Sequence, residues 1–457
     1  MSQVKELLDL LVAGNFTEVI PQSRLEACLK NCLAGLGTEG LPPPLSRAEE
    51  YLHELAEKVS GGFSGGPVPE MRDFAYLYSG ERRLSEIPLE ELIPYMRNGT
   101  DFTRMFESCK NIPTSMTITL GRGSCDGMFY GCSNLEAIEF TGSGKPTSVS
   151  SMFSGCVKLK TITGLDTSEC TNFSYTFRNC NAIMDTLSVD TSNGTNFEGM
   201  FESCTGKKKS PFINTSKGTN FKRMFIYSYI TELAPLDLSN GQNFENMFYS
   251  ANYLETITPL NIPNATNVRD MFNECSSLKH VPLTGFGKAT DLGSIFNRCS
   301  SLPSVSGLDF SKVTSMGDTF RECSSLESIY DVDMRSVTYT YTTFYKCTKL
   351  TNLYAYNIKW DLTIGAGTTY GHLLTLDSLI HTIKELRDTG SSKTLTMGTT
   401  NLEKLTDVYV KLIPITDEMR AADDLIDEKL PFEVCESTDD GAMLITDYVG
   451  EKNWVLK

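Results

Sequence analysis

The chain reads as an α/β repeat solenoid: a stack of about eleven units of 23–24 residues, with a short helical module before it and a mixed α/β cap after it. Three observations predict this. Phenylalanine recurs at Phe106, Phe129, Phe153, Phe177, Phe201, Phe225, Phe248, Phe272, Phe296, Phe320 and Phe344, every 24 residues apart from two steps of 23. Cysteine stands three residues after nine of them, at Cys109, Cys132, Cys156, Cys180, Cys204, Cys275, Cys299, Cys323 and Cys347, with Ser228 and Ala251 in the two other units. An L-x-x-L-x-L pattern returns between them, as at Leu233, Leu236 and Leu238, at Ile257, Leu260 and Ile262, and at Val305, Leu308 and Phe310. A fixed period of this length marks units that bury their apolar face only against neighbouring units.

Residues 1–60 predict three short amphipathic helices. Val4, Leu7, Leu8 and Leu11 give the first stripe, Leu25, Cys28, Leu29, Cys32 and Leu33 the second, and Ala48, Leu52, Leu55 and Val59 the third. Ser23 with Glu26 and Ser46 with Glu49 are capping-box pairs, and Gly61 and Gly62 stop the third helix. Helices this short have little core of their own, so this module is expected to anchor or oligomerise the chain. Residues 61–70 are a Gly/Pro linker. Residues 71–100 are expected to cap the solenoid, whose first coil needs its open apolar edge covered.

Residues 101–350 hold the repeats. In each, a short strand is followed by a Thr/Asn/Ser segment and then a helical or turn-like M-F-x-x-C, as in Met152–Cys156 and Met271–Cys275. The missing cysteines near Phe225 and Phe248, and the basic insert Lys207, Lys208, Lys209, predict looser stacking there. The lysines read as a solvated loop. Residues 351–457 form the C-terminal cap or tip lobe. They open with a helix whose apolar face carries Leu376, Leu379, Ile380, Ile383 and Leu386 and which stops near Gly390.

The composition narrows the function. The net charge of -16 argues against a nucleic-acid partner, which needs a basic footprint. No apolar run is long enough for a membrane span. The start, broken by Lys5, Glu6 and Asp9, does not read as a signal peptide. The periodic cysteines, replaced by Ser and Ala in two units, fit small buried side chains better than disulfides, and two-residue metal spacings are absent. Histidine occurs four times, and no H-E-x-x-H, G-x-S-x-G or phosphate loop appears. Nothing selects a carboxylate pair for glycoside cleavage. The expectation is a non-enzymatic protein without cofactor or metal.

Two groups of residues are candidate binding sites. Between the core leucines stand Asp166, Asp190, Asn214, Asp237, Asn261, Gly285, Asp309, Asp333 and Asn357, expected on a concave strand face. Ser168, Ser192, Ser216, Ser239 and Ser311 follow two residues later in several units. This polar ladder could bind glycan hydroxyls, a basic protein patch or calcium. Equally, Asp, Asn and Ser could hydrogen-bond the adjacent turn and the neighbouring coil. The second group is aromatic: Tyr330, Tyr339, Tyr341, Tyr345 and Tyr354, with Tyr356 at a leucine position and further tyrosines at Tyr227, Tyr229, Tyr249, Tyr253 and Tyr370. Tyrosine brings large contact area with few rotors.

The segments Leu165–Ser168, Thr171–Phe173, Thr266–Val268 and Met128–Leu135 resemble the BspA-type leucine-rich repeats of bacterial and phage surface proteins. The flanks, PQSRLEACLKNCL and the stretch from His372 to the C-terminus, resemble segments of phage and prophage tail proteins of Gram-positive gut bacteria. The resemblance implies a receptor-binding protein of a phage tail or tail-like particle. It would contact a bacterial surface protein or glycan, join other virion proteins through residues 1–60, and assemble as a homo-oligomer, a trimer by preference. Its alternatives are a structural spacer of the particle and a bacterial surface adhesin.

Overall fold

The computed structural model describes residues 74–80, 96–97, 99–183, 187–206, 209–284, 288–305, 308, 310–359, 362–364, 374–387, 393–397, 404–412, 419, 432–435, 439, 443–451 and 454–456. The expected N-terminal helices, the linker, Lys207, Lys208, Gly285, Asp309 and Tyr370 lie outside them.

The chain winds into a right-through stack of parallel coils, one per repeat unit. Along one side the short strands pair. β1 (Ser115–Thr119), β2 (Ala137–Thr141) and β3 (Thr161–Thr163) form one parallel sheet. β4 (Leu260–Asn261) pairs with β5 (Leu283–Thr284). β6 (Ser304–Val305), β7 (Ser328–Asp333) and β8 (Asn352–Tyr356) form a third sheet. Single bridges from Lys209 through Glu232 and Thr256 to His280 carry the same ladder across the middle of the stack. In β1, Met116 and Ile118 point inward while Ser115 and Thr117 point out, the two-residue alternation of a strand with one solvated face.

A second ladder follows the Thr/Asn/Ser segments. Bridges join Asp101, Ser124, Ser148, Asn172, Asn196, Asn220, Asn243 and Asn267 in succession, then Asp291, Ser315 and Tyr339. The asparagines also bond side chain to side chain: Asn196 Nδ2 donates to Asn172 Oδ1 at 3.1 Å, and Asn220 Nδ2 to Asn196 Oδ1 at 3.0 Å. Each also accepts the backbone N–H two residues on, as Asn196 does from Glu198. The repeated T-N dipeptide therefore fixes both the coil's bend and its contact with the coil before it.

The M-F-x-x-C segment is two successive β-turns. In the first unit, Met105 N–H donates to Phe102 O and Cys109 N–H to Phe106 O, while the N–H groups of Phe102, Arg104, Phe106 and Ser108 donate to the next coil. The third residue of each turn is left-handed, φ 53° at Arg104 and 59° at Ser108, as in a type II turn. Two such residues occur in every unit, yet among them only Gly127, Gly131, Gly155 and Gly199 are glycine. A side chain in this conformation costs on the order of 1 kcal/mol. The hydrogen bonds to both neighbouring coils hold it there.

Turn geometry drives the phenylalanines inward. From Phe106 to Phe344 each ring stacks on the next, with centroids 5.3–6.0 Å apart and planes within 15°. A shorter column of Phe173, Phe197, Phe221 and Phe244 runs beside it. The stack also begins one coil earlier than the period suggests. Residues 74–80 form a coil bonded to Asp101–Glu107, with Phe74 on Phe102 and Tyr78 on Phe106. Part of the segment expected as a cap is thus a degenerate repeat.

The periodic cysteines are buried and form no disulfide among the described residues. Each periodic thiol points at the carbonyl of the aromatic residue one coil back, Cys132 Sγ to Phe106 O at 2.9 Å and Cys299 Sγ to Phe272 O at 3.1 Å. Burial pushes these thiols up, to about 12 at Cys204, Cys275 and Cys347. They carry essentially no thiolate at neutral pH, so alkylation by iodoacetamide at pH 8 is expected to leave the column unmodified until denaturant is added, as read by peptide mass mapping.

Stacking is not looser where the cysteine is missing. The Phe201–Phe225 and Phe225–Phe248 centroids are 5.5 and 5.6 Å apart, as elsewhere. The phenylalanines set the spacing, and losing the cysteine removes only one hydrogen bond. Ser228 Oγ is buried without a partner, because the shorter C–O bond falls short of the carbonyl that Sγ reaches. Ser228→Cys is expected to stabilise the protein by about 1 kcal/mol, measured by urea unfolding.

The solenoid ends at α1 (Leu376–Lys384), capped by Thr375 Oγ1, which accepts from Ser378 N–H. Ser378 Oγ in turn accepts from Leu353 N–H, so the helix occupies the place of a further strand. Leu379, Ile383 and Leu386 are buried, but Leu376 is 41% exposed and does not belong to the apolar face. The helix also stops earlier than Gly390, because Leu386 re-enters the coil ladder opposite Ile358. On either side of it in the chain, β9 (Leu362–Ile364), β10 (Lys393–Met397) and β14 (Trp454–Leu456) form a parallel sheet, and Trp454 Nε1 donates to Arg387 O. β11 (Tyr409–Leu412), β12 (Phe432–Cys435) and β13 (Met443–Leu444) form an antiparallel sheet backed by α2 (Ile445–Glu451).

Candidate functional site

The aspartate ladder sits differently from its expected place. Asp166 lies three residues past β3, and no strand spans Asp190, Asn214 or Asp237; only Asn261 and Asp333 end strands. The cause is the side chain itself. Asp166, Asp190, Asn214, Asp237 and Asp333 each accept the backbone N–H two residues on, at 2.9–3.1 Å, which turns the chain out of the ladder. The following threonines bond forward, Thr167 to Asp190 O and Thr191 to Asn214 O, and the asparagines bond back, Asn193 to Ser168 O. Asn357 is buried and donates to Asp333. Hydrogen bonds from Ser168 hold the Asp166 carboxyl down at about 2, with Lys145 helping at 3.1 Å. A depressed carboxyl stabilises the fold above its unfolded value of about 3.9 and loses that contribution as pH falls toward 2. Asp190 and Asp237 are lowered for the same reason.

The tyrosines separate onto three faces. Tyr330 and Tyr354 stand on neighbouring strands β7 and β8, stacked at 5.2 Å. Next to them His381 of α1 contacts both Tyr354 and Tyr356, each at 5.0 Å. These four rings form one continuous surface at the end of the stack. Tyr356 is half-buried in it, not a core residue as its leucine position suggests. By contrast, Tyr339 and Tyr341 belong to the second ladder and lie 6.4 Å apart, 53% and 66% exposed. Tyr345 lies on the turn face beneath the Arg321 guanidinium, with Lys346 Nζ also over its ring.

That turn face also carries an ion-pair relay, in which Arg298 bridges Glu274 and Glu322, and Arg321 and Lys346 approach Glu322. Nearer the N-terminus the buried Glu202 lies between Arg178 and Arg223. Arg223 donates to it twice; Arg178 Nε is as close, 3.1 Å, but contributes charge without an aligned hydrogen bond. Among the described residues no group of three or more His, Cys, Asp or Glu side chains is placed to hold a metal, and no helix is long and apolar enough to cross a membrane.

Sequence reasoning missed Asp331, His381 and Glu385. Asp331 is left-handed, φ 59°, inside a bulge where Tyr330 and Asp331 together face Tyr354. The signal was present: aligning YDVDMR with TGLDTS puts Asp331 at the place of Gly164, also left-handed at φ 72°.

Among solved structures, the chain is similar to a leucine-rich cell-surface protein of Faecalibacterium prausnitzii, with 22% identity, a TM-score of 0.34, and coverage of 55% of this chain and 82% of that one. It is also similar to a leucine-rich repeat protein of Bacteroides ovatus, with 20% identity, a TM-score of 0.28, and coverage of 56% and 78%. No curated protein matches it. The family described as "Mycoplasma protein of unknown function, DUF285" matches residues 123–228, 147–286 and 286–364, which together span more than half of the chain and most of the solenoid. The chain belongs to that family.

Proposed function

We propose that this protein is a non-enzymatic recognition protein acting at a bacterial surface, an adhesin whose solenoid presents a rigid binding surface. The observation that carries this reading is the placement of large aromatic side chains outside a core that is already full. Tyr330, Tyr339 and Tyr341 are about half exposed or more, while the phenylalanine and cysteine columns behind them are completely buried. Exposed tyrosines on a preorganised backbone suit binding, since little ordering entropy is lost when a partner docks. The family match covers the repeats and gives no support to a phage particle, so adhesion takes precedence over the tail reading. Attachment and self-association through residues 1–60 remain part of the proposal.

The test is saturable binding of the fluorescently labelled full chain to a panel of bacterial and epithelial cells. The triple variant Tyr330→Ala, Tyr339→Ala, Tyr341→Ala serves as comparison. Selective binding that the variant loses supports recognition. Equal binding of both proteins, or none by either, overturns it.

A further inference from the structure

The aromatic surface on β7, β8 and α1 has features that packing does not explain. Asp331 occupies a left-handed position that a sister unit fills with glycine, at a backbone cost on the order of 1 kcal/mol. Its carboxylate is exposed and makes no hydrogen bond or ion pair with any described residue. Strain kept without a structural return concentrates at functional sites, and bulges often re-aim a side chain beside one. A second carboxylate, Glu385, accepts the N–H of Asn357, the residue after Tyr356, through Oε2. Both carboxylates act on the Tyr356 phenol, which is raised first by burial and then by Asp331 and Glu385. The result is a four-ring π surface with the exposed Asp331 carboxylate beside it.

We propose that Tyr330, Asp331, Tyr354, Tyr356, His381 and Glu385 form a docking site for a lysine or arginine side chain of a partner protein. This rests on the recognition reading and names its ligand class. Charge complementarity decides for a cation. The ring faces carry the negative end of the aromatic quadrupole and attract a cation lying over them. The exposed Asp331 carboxylate adds to that field.

The experiment titrates the full-length chain with a hexalysine peptide by calorimetry at about 0.15 M salt, where long-range attraction to the acidic surface is screened. Tyr354→Leu removes a ring and keeps every charge. Asp331→Gly removes the charge and restores the residue that stands at this place in the sister unit, so it is expected to melt at or above the parent temperature. A neutral N-acetylglucosamine trisaccharide is the comparison ligand. The expected result is hexalysine binding that each substitution weakens, Tyr354→Leu by about fivefold, within the range for one cation–π contact. Hexalysine affinity unchanged in both variants would place the attraction on the general acidic surface and overturn the site. Binding of the trisaccharide and not of hexalysine, lost in Tyr354→Leu, would overturn the ligand class. Cell binding that survives while hexalysine fails to bind sinks this site alone; absence of cell binding by the parent chain sinks the recognition reading itself.

Discussion

Replacing Phe225 by alanine is expected to lower stability by about 4 kcal/mol. The ring is fully buried and stacks on Phe201 and Phe248, so truncation removes transfer energy, opens a cavity and breaks two ring contacts at once. The coils on either side cannot collapse onto the gap, because hydrogen bonds from Tyr227 to Tyr249 O and from Ser203 to Ile226 O fix their separation. A stack in which each unit touches only its neighbours should also lose cooperativity at that point. Urea unfolding followed by far-ultraviolet circular dichroism should therefore show both a lower midpoint and a broader or split transition. A loss below about 1 kcal/mol would mean that the column is not what holds the coils together.

Gly144→Ala is expected to cost about 3 kcal/mol, near the upper end of typical overpacking penalties. A methyl group there would lie 2.0 Å from Leu120 O and 2.4 Å from Gly121 O. Both are backbone atoms of the preceding coil and cannot rotate away. Gly80→Ala is the control: it imposes a left-handed alanine, φ 74°, but meets nothing within 4 Å, so it should cost on the order of 1 kcal/mol. A loss at Gly144 no larger than that at Gly80, measured by thermal unfolding, would show that the preceding coil yields to the added methyl group.

The parts of this architecture legible in the sequence are those in which one residue type repeats at one place. The phenylalanine and cysteine columns qualify because every unit needs the same volume there. The consecutive left-handed turns were hidden, since their hydrogen bonds come from neighbouring coils and admit Arg, Ser, Tyr, Asn and Glu where glycine would have been the signal. The coil at Phe74 and Tyr78 was hidden because Tyr78 stands 28 residues before Phe106, out of step with the period. The aspartate ladder was legible as a ladder but misplaced, for its own hydrogen bonds end the strand that was supposed to carry it. Among the tyrosines, sequence proximity misled: Tyr339 and Tyr341 are closer in sequence to Tyr330 than Tyr354 is, yet Tyr354 is the one stacked on it.

The uniform ring-to-ring register has an evolutionary reading. Any block of 24 residues cut at one point of the coil and inserted at the same point of another meets the same partners above and below. Unequal crossing-over within the gene would then lengthen or shorten the stack by whole coils without a frame of misfitted contacts. The length of the stack becomes a quantity that recombination adjusts in fixed increments, independently of the side chains displayed on the surface.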